Sequence, residues 1–164
     1  MPEKIVFVPI QYPPTIGGLQ SYIKGLVDAV EEIGYEAVVI TSTPNPDMKM
    51  EGEVEKNVIQ LNSWFWFMNS PIINPLKFYK NLKTLNPDVV NLVYPFPIYL
   101  DIACFYAILH RKKICCTYID DVIMKFPYSL IMRIYEMTIW NIWKRSIISM
   151  ACTCLENTGK MHQA

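Results

Sequence analysis

The sequence predicts an α/β fold, a Rossmann-like open and mostly parallel sheet with helices on both faces. Apolar runs of strand length alternate along the chain with amphipathic stretches of helix length. The strand-like runs are almost continuously apolar, which is typical of strands covered on both faces. Parallel neighbours require long crossover connections, and the helix-length stretches between the runs supply them.

Length and charge limit the possible functions. The 164 residues, of which 52% are hydrophobic, predict one domain over residues 1–164. The net charge of zero argues against a nucleic-acid partner. Residues 1–110 carry 7 basic and 11 acidic side chains, whereas residues 111–164 carry 8 and 4. The basic, aromatic C-terminal part therefore favours an anionic ligand or an anionic membrane surface.

Three strands and one helix are predicted in the first part of the chain. The run KIVFVPI at residues 4–10 is a strand that ends at a proline-rich loop. Apolar residues at three- and four-residue steps predict a helix over residues 17–33, and Gly34 stands where a helix ends. EAVVITS is the second strand, and NVIQLN is a weaker third strand after a polar loop.

The same alternation continues to the C-terminal part. The predicted helices are residues 74–86, 98–113 and 129–145, and the predicted strands are residues 88–94, 113–119 and 146–153. The sequence contains neither an internal repeat nor a low-complexity tract. We therefore expect an open sheet with a ligand crevice at the carboxyl ends of its strands.

The loop QYPPTIGG between the first strand and the first helix is a candidate binding element. A helix that begins there presents free N–H groups and a partial positive charge, which stabilise a phosphate or a carboxylate. Gly17 and Gly18 remove the Cβ atoms that would hold a ligand off the backbone, and they allow backbone angles that other residues resist. The alternative is a plain turn, since the three-glycine dinucleotide fingerprint is missing.

Several segments, in order, resemble the N-terminal half of GT-B glycosyltransferases of the family-4 kind. The opening KIVFVPIQYPPTIGGLQSYIKGLVDAVEEIGYEAVVITS is similar to that family's strand, glycine loop, long helix and second strand. LNPDVVNLVYP, KKICCTYIDDV and SIISMACTCLENTG resemble its later strands and turns. The resemblance covers roughly the whole chain, and it implies half of a GT-B fold.

The resemblance also implies a function. The N-terminal half of such an enzyme mainly holds the acceptor, and a C-terminal half binds the nucleotide-sugar donor. We expect this donor-binding domain to be absent here, so the chain alone is not expected to catalyse transfer. The implied acceptor-binding residues are Gly17, Gly18, Gln20, Tyr94 and Tyr118. The nucleotide sugar is a co-substrate, and neither a resident cofactor nor a metal ion is expected.

The chain departs from the family at the loop that usually reads threonine-tyrosine-histidine-acidic. Ile119 stands where that histidine lies near the anomeric centre, and it can neither bind a sugar hydroxyl nor transfer a proton. Asp120 and Asp121 are candidate catalytic carboxylates, because a carboxylate beside an acceptor hydroxyl can act as base or orient it. Alternatively, they cap the following segment as ordinary acidic loop residues.

Two other functions remain open at this point. One is a non-catalytic binding or interaction module, a truncated or degenerate transferase remnant, which Ile119 favours. The other is a different nucleotide-binding Rossmann enzyme, which would need an acidic ribose partner at the end of the second strand. That strand ends in ITSTPNP, and the next acidic residue is Asp47.

Partners and location are predicted from aromatic segments and the N-terminus. SWFWFMNSPIINP is either an exposed patch for a lipid-linked acceptor or a membrane interface, or simply core. The helix at residues 129–145 could be buried, or could dock on a bilayer or on a separate donor-binding half. No signal peptide is visible, so we expect a cytoplasmic protein with peripheral contact to the inner face of a membrane.

The cysteines are predicted to be reduced thiols and not to form disulfides. Their number, five, is odd and two of them are adjacent, which fits reduced core thiols better than a disulfide framework. Cys152 and Cys154 with His162 do not predict a metal site, because two thiols one residue apart in a strand point to opposite faces.

Overall fold

Seven strands and three helices make up the described structure. The computed structural model describes residues 3–44, 47–67, 70–94 and 99–118, together with Ile134, Met137, Thr138, Ile142 and Trp143. The strands are β1 (Lys4–Val8), β2 (Glu36–Ser42), β3 (Val58–Leu61), β4 (Ser63–Phe67), β5 (Ser70–Ile73), β6 (Val89–Tyr94) and β7 (Lys113–Tyr118). The helices are α1 (Gly18–Glu32), α2 (Pro75–Leu85) and α3 (Tyr99–Leu109).

Five of the strands form one parallel sheet. Their order is β3-β2-β1-β6-β7, and every neighbouring pair is parallel. The chain moves outward from β1 to β3, then returns and moves outward again from β6 to β7. The α/β Rossmann-like prediction is confirmed, and the order reverses direction between β1 and β6. In open sheets of this kind the ligand crevice lies at such a reversal, outside the carboxyl ends of the strands.

The helices cover both faces of this sheet. On one face, α1 packs Ile23 and Val27 against Phe7, Val39 and Val93 of the strands. On the other face, α2 and α3 pack against each other, and α3 packs against the sheet. Together they form a larger buried cluster, to which α2 contributes Phe78 and Leu82. His110, which follows α3, hydrogen-bonds through Nε2 to the Tyr79 hydroxyl at 3.0 Å and so links α2 to α3.

Helix ends follow their local sequence. Asn74 caps α2 by accepting hydrogen bonds from the N–H groups of Leu76 and Lys77, and Pro75 occupies the first turn without losing a helical bond. Gly34, which follows α1, has φ of 91°, a left-handed angle that glycine adopts without strain. The predicted end of the first helix at Gly34 is therefore confirmed.

A second sheet, the hairpin β4–β5, is missing from the sequence-based prediction. Its two strands are antiparallel, with a register shift between Ser63 and Phe65 that leaves Trp64 without a partner of its own. Ile73 is buried against α2, whereas Trp64 and Phe65 are exposed. Burial as core is therefore wrong for these two aromatic side chains, because the bulge turns them away from the body of the protein.

Some predictions fall on the remaining residues. The predicted helix at residues 129–145 lies outside the described residues except for the five named above, and the strand at residues 146–153 lies wholly outside them. Trp143 donates from Nε1 to Asp101 Oδ1 at 2.6 Å, beside the start of α3. Cys104 is buried, as expected of a core thiol, but Cys115 is exposed.

Membrane-spanning potential is a separate question. Among the residues that the structure describes, no helix combines the length and the apolar character needed to cross a bilayer.

Candidate functional site

The candidate site lies at the carboxyl edge of the sheet, where the strand order reverses between β1 and β6. β1 and β6 pair in register as far as Val8 and Leu92. Residues 9–17 follow β1 at this edge and lead into α1, so the loop predicted from the sequence does lie at the crevice. We call residues 9–17 the β1–α1 loop.

Hydrogen bonds to β2 fix the beginning of the β1–α1 loop. The Ile10 carbonyl accepts bonds from Thr41 Oγ1 at 2.9 Å and from Ser42 Oγ at 2.8 Å, and all three residues are buried. The backbone N–H of Ser42 also points to this carbonyl, at 3.3 Å. The end of β2 thus holds the loop by its backbone, independently of the loop's side chains.

A distant segment holds the second half of the loop. Thr15 and Met50 form an isolated antiparallel bridge. Ile16 donates its N–H to the Lys49 carbonyl at 3.1 Å, and Glu51 donates to the Pro14 carbonyl at 2.9 Å. The peptide bond between Pro13 and Pro14 is cis. The hydrogen bonds to residues 49–51 therefore fix the position of the loop before Gly17.

Gly17 and Gly18 differ in their surroundings. A Cβ at Gly17 would overlap the side-chain amide of Gln20, with the amide carbon at 3.0 Å, whereas a Cβ at Gly18 would meet no atom within 4 Å. Gly17 has φ of 171° and ψ of 163°, an extended backbone that any residue adopts. The expectation of unusual backbone angles is wrong for Gly17, and its missing Cβ makes room for Gln20. Open space for a ligand is found at Gly18.

Gln20 connects the helix to the loop from inside. Its side chain is 7% exposed, and its Nε2 donates to Gln11 Oε1 at 2.8 Å. A buried amide pair of this kind is costly to break, since each partner would be left without a hydrogen bond. Gln20 therefore positions the start of α1 against the loop. Its predicted contact with an acceptor stays a prediction.

The first turn of α1 has free hydrogen-bond donors. The first helical bond runs from the N–H of Ser21 to the Gly17 carbonyl at 3.1 Å, so the N–H groups of Gly18, Leu19 and Gln20 have no partner within the helix. No side chain of the described residues caps this end, and no acidic residue lies in its first turn. Within that part of the chain, the partial positive charge of the helix has no neutralising side chain.

The other predicted site residues are divided between described and undescribed positions. Tyr94 and Tyr118 end β6 and β7 and are direct partners in the parallel register, so their backbones lie side by side at the carboxyl edge. Val8 pairs with Leu92, which places the residues after β1 beside Tyr94. Asp120 and Asp121, and Ile119 before them, lie outside the described residues.

Two buried hydroxyl groups of the loop have no partner among the described residues. Thr15 Oγ1 and the Tyr12 hydroxyl are both inaccessible and make no hydrogen bond there. Burial raises the pKa of Tyr12 above its usual value, and the Glu55 carboxylate raises it further. Tyr12 is therefore a neutral phenol over the physiological pH range.

Ion pairs join α1 to the segment that precedes β3. Lys24 forms ion pairs with Asp28 at 2.6 Å and with Glu55 at 2.9 Å. The hydrogen bond that Lys24 Nζ donates to Asp28 Oδ1 is the main reason that the pKa of Lys24 lies above its usual value. These pairs join the segment before β3 to the helix that begins at the candidate site.

The polar side chains in the described part of the site are neutral amides and hydroxyls, namely Gln11, Thr15, Gln20, Thr41 and Ser42. All five are buried; Gln11 bonds to Gln20, and Thr41 and Ser42 bond to the Ile10 carbonyl. They therefore support the loop, and at neutral pH they do not accept a proton. Within the described residues, no three histidine, cysteine or acidic side chains lie together as a metal site.

Sequence analysis missed Gln11, Thr15 and the supporting segment at residues 49–51. Gln11 is the first polar residue after β1 and could have been noticed for that reason. The bridge between Thr15 and Met50 joins residues far apart in the chain and has no local signal. Two grooves, of about 710 and 490 Å³, lie elsewhere, since neither is lined by Gly17 or Gly18.

Comparison with known proteins identifies one family. The sequence model of Glycosyltransferase Family 4 matches residues 16–152, which is most of the chain and includes the start of α1. No curated protein matches the sequence.

Proposed function

Because the chain belongs to glycosyltransferase family 4, we propose that it is the acceptor-side half of a glycosyltransferase. It binds a saccharide or a lipid-linked acceptor at the β1–α1 loop and the carboxyl ends of β6 and β7. A C-terminal half, in the same chain or on a separate polypeptide, binds the nucleotide sugar that donates the sugar. The protein acts in the cytoplasm, at the inner face of a membrane when its acceptor is lipid-linked.

The observation that carries this proposal is the uncapped start of α1 at the reversal of strand order. Three N–H groups, those of Gly18, Leu19 and Gln20, have no hydrogen-bond partner there among the described residues. The space in front of Gly18 is open. Backbone donors at a helix start bind the oxygens of a phosphate or a polar sugar, and an acceptor that carries a phosphate gains most from the helix charge.

The proposed reaction needs groups that this edge does not itself contain. The acceptor hydroxyl oxygen bonds to the anomeric carbon, the nucleoside diphosphate leaves, and the hydroxyl proton passes to a base. Asp120 or Asp121 is the proposed base, since both follow β7 closely and the described side chains of the edge are neutral. The proposed transfer uses no metal ion and no cofactor besides the nucleotide sugar.

A non-catalytic binding module is the second candidate function. It is favoured by one sequence observation, Ile119 at the position of the family's histidine. In that case the edge still binds a saccharide, but no sugar is transferred. Ile119→His distinguishes the two candidates when a donor-binding half is supplied, because gain of transfer would reveal a dormant catalytic site.

The proposal is tested by calorimetric titration of the 164-residue chain with a glycosyl phosphate and, separately, with a nucleotide sugar. We expect the glycosyl phosphate to bind, and the nucleotide sugar to bind more weakly. Gly18→Asp should lower affinity for the glycosyl phosphate by about tenfold, since it places a negative charge in the first turn. The control is Gly18→Asn, which is similar in size and has no charge. Equal affinity of both variants would contradict the proposed anion site.

A further inference from the structure

The hairpin and the helix after it expose large apolar side chains on one continuous segment. Trp64 and Phe65 of β4 are 64% and 56% exposed, and Leu76 at the start of α2 is 79% exposed. Phe65 pairs with Ile72, and Leu76 follows Ile72 by four residues, a chain length of at most about 14 Å. The three exposed side chains therefore lie on the hairpin and on the helix start that directly follows it, which together we call the hairpin–α2 surface.

This surface carries no charge over its apolar part. From Asn57 to Leu76 the sequence contains no acidic and no basic residue, whereas Lys56 and Lys77 flank it on either side. Tryptophan is enriched where protein meets the headgroup region of a bilayer, because its ring is apolar and its N–H is polar. A charge-free segment with tryptophan and phenylalanine exposed suits that environment.

Basic side chains continue the surface along α2. Lys77, Lys80 and Lys83 are exposed, and the helix contains no acidic residue. Phe78 and Leu82 face the core. Lys80 follows Phe78 by two residues, about 200° around the helix, and so points outward.

The lysines of α2 differ from Lys4, Lys24 and Lys113 in their charge partners. Lys49, Lys56 and Lys112, like those of α2, form no ion pair within the described residues. Lys4, Lys24 and Lys113 each form an ion pair with a glutamate or an aspartate. Lys77, Lys80 and Lys83 form no ion pair with any residue in the described ranges. Three unpaired positive charges on one helix are complementary to a surface of fixed negative charge.

We propose that the hairpin–α2 surface docks the protein on an anionic lipid bilayer. Trp64, Phe65 and Leu76 enter the interface, and the lysines of α2 contact lipid phosphates. The hairpin starts two residues after β3 ends, so it projects from the carboxyl edge of the sheet. Docking in this way brings the candidate site close to the membrane. The inference goes beyond the proposed function, because it holds whatever the site binds.

The test is cosedimentation of the 164-residue chain with vesicles. One set contains phosphatidylcholine alone, and the other contains phosphatidylcholine with one third phosphatidylglycerol. We expect binding to the anionic set that weakens as salt rises, and little binding to the neutral set. Trp64→Ser with Phe65→Ser should lower the partition coefficient at least about tenfold. Lys80→Gln with Lys83→Gln should lower it about 30-fold.

Matched controls remove similar groups elsewhere. Tyr22→Ser with Ile33→Ser removes two exposed apolar side chains, one in α1 and one directly after it, and Arg111→Gln with Lys112→Gln removes two charges just before β7, away from the hairpin–α2 surface. Both controls should bind vesicles like the parent chain, and circular dichroism should show that all four variants remain folded. The proposal is overturned if the parent chain binds neither vesicle set, or if the controls weaken binding as much as the hairpin–α2 variants.

A protein partner is the alternative occupant, and size-exclusion chromatography without lipid distinguishes it. If the parent chain is a dimer that Trp64→Ser with Phe65→Ser converts to a monomer, the surface is an interface between two copies and the membrane proposal is wrong. A parent chain whose mass the substitutions leave unchanged, together with the loss of vesicle binding, supports docking on lipid.

Discussion

The starts of α1 and α2 show how two helix ends in one protein can differ. Both helices return from the carboxyl edge of the sheet towards the start of the next strand. At α2, Asn74 Oδ1 accepts from Leu76 N at 3.0 Å and from Lys77 N at 3.1 Å. At α1, Gly17 offers no side chain and the first turn has no acid. The N–H groups at the start of α2 bond to a residue of the same segment, whereas those at the start of α1 have no partner among the described residues.

The difference indicates which end serves structure and which serves binding. Capping an exposed helix start with asparagine typically stabilises a protein by about 1 kcal/mol. At α1, Gly17 provides no such cap. The start of this helix is held instead by the buried Gln11–Gln20 hydrogen bond and by the hydrogen bonds from β2 to the Ile10 carbonyl. A helix start that buried hydrogen bonds hold in place, with open space beside Gly18, is suited to binding a ligand.

The largest expected effect comes from adding a methyl group at Gly17. Gly17→Ala should lower the free energy of unfolding by about 2 kcal/mol, because the new Cβ displaces Gln20 and breaks its bond to Gln11. Gly18→Ala is the matched control and should raise stability by roughly 0.5–1 kcal/mol. Urea denaturation measures both. In a Gln20→Ala background, Gly17→Ala should cost little; an undiminished cost there would refute the packing explanation.

The next effect depends on pH and concerns Tyr12, a buried residue of the β1–α1 loop. Burial raises its pKa in the folded protein, so its contribution to stability is complete below the ordinary tyrosine pKa of about 10 and is lost as the pH rises above it. Tyr12→Phe should therefore reduce the alkaline loss of stability by up to about 1.4 kcal/mol per pH unit above pH 10. Near pH 7 it should leave stability unchanged or raise it slightly, because the buried hydroxyl has no partner among the described residues. An unchanged slope in denaturation curves between pH 9 and 11 would show that Tyr12 ionises freely in the folded state.

A smaller effect is expected at the capped helix. Asn74→Ala should lower stability by about 1 kcal/mol, since two N–H groups lose their acceptor. Affinity for a glycosyl phosphate should stay the same, because this end of α2 takes no part in the candidate site. Asn74→Asp, which retains the acceptor, is the control and should preserve stability. A parallel loss of ligand affinity in Asn74→Ala would remove the distinction between the two helix ends.

Much of the fold could be predicted because its signals are local. The helix that ends at Gly34 and the strand EAVVITS follow from apolar periodicity and from a residue suited to its backbone angle. The hairpin β4–β5 was missed because apolar periodicity does not distinguish an exposed, bulged strand from a buried run. That Trp64 faces outward is seen only from its exposure in the folded protein.

The candidate site was predicted in part, for a similar reason. Gly17 and Gly18 are visible in one short stretch as adjacent glycines before a helix, and the backbones of Tyr94 and Tyr118, which the resemblance implied, do lie side by side at the carboxyl edge. Contact of these four residues with an acceptor stays a prediction. The reason given for Gly17 was wrong, since its Cβ space is filled by Gln20 in the folded protein. That contact depends on how the loop packs, which the spacing of residues does not specify.

The most direct test of the difference between the two helix ends is a titration followed by amide chemical shifts. The ¹⁵N-labelled chain is titrated with inorganic pyrophosphate while the amide signals of α1 and α2 are recorded. The account predicts saturable shifts for Gly18, Leu19 and Gln20, and none for Leu76 and Lys77, whose N–H groups already bond to Asn74. Equal shifts at both helix ends, or shifts at Leu76 and Lys77 alone, would contradict it.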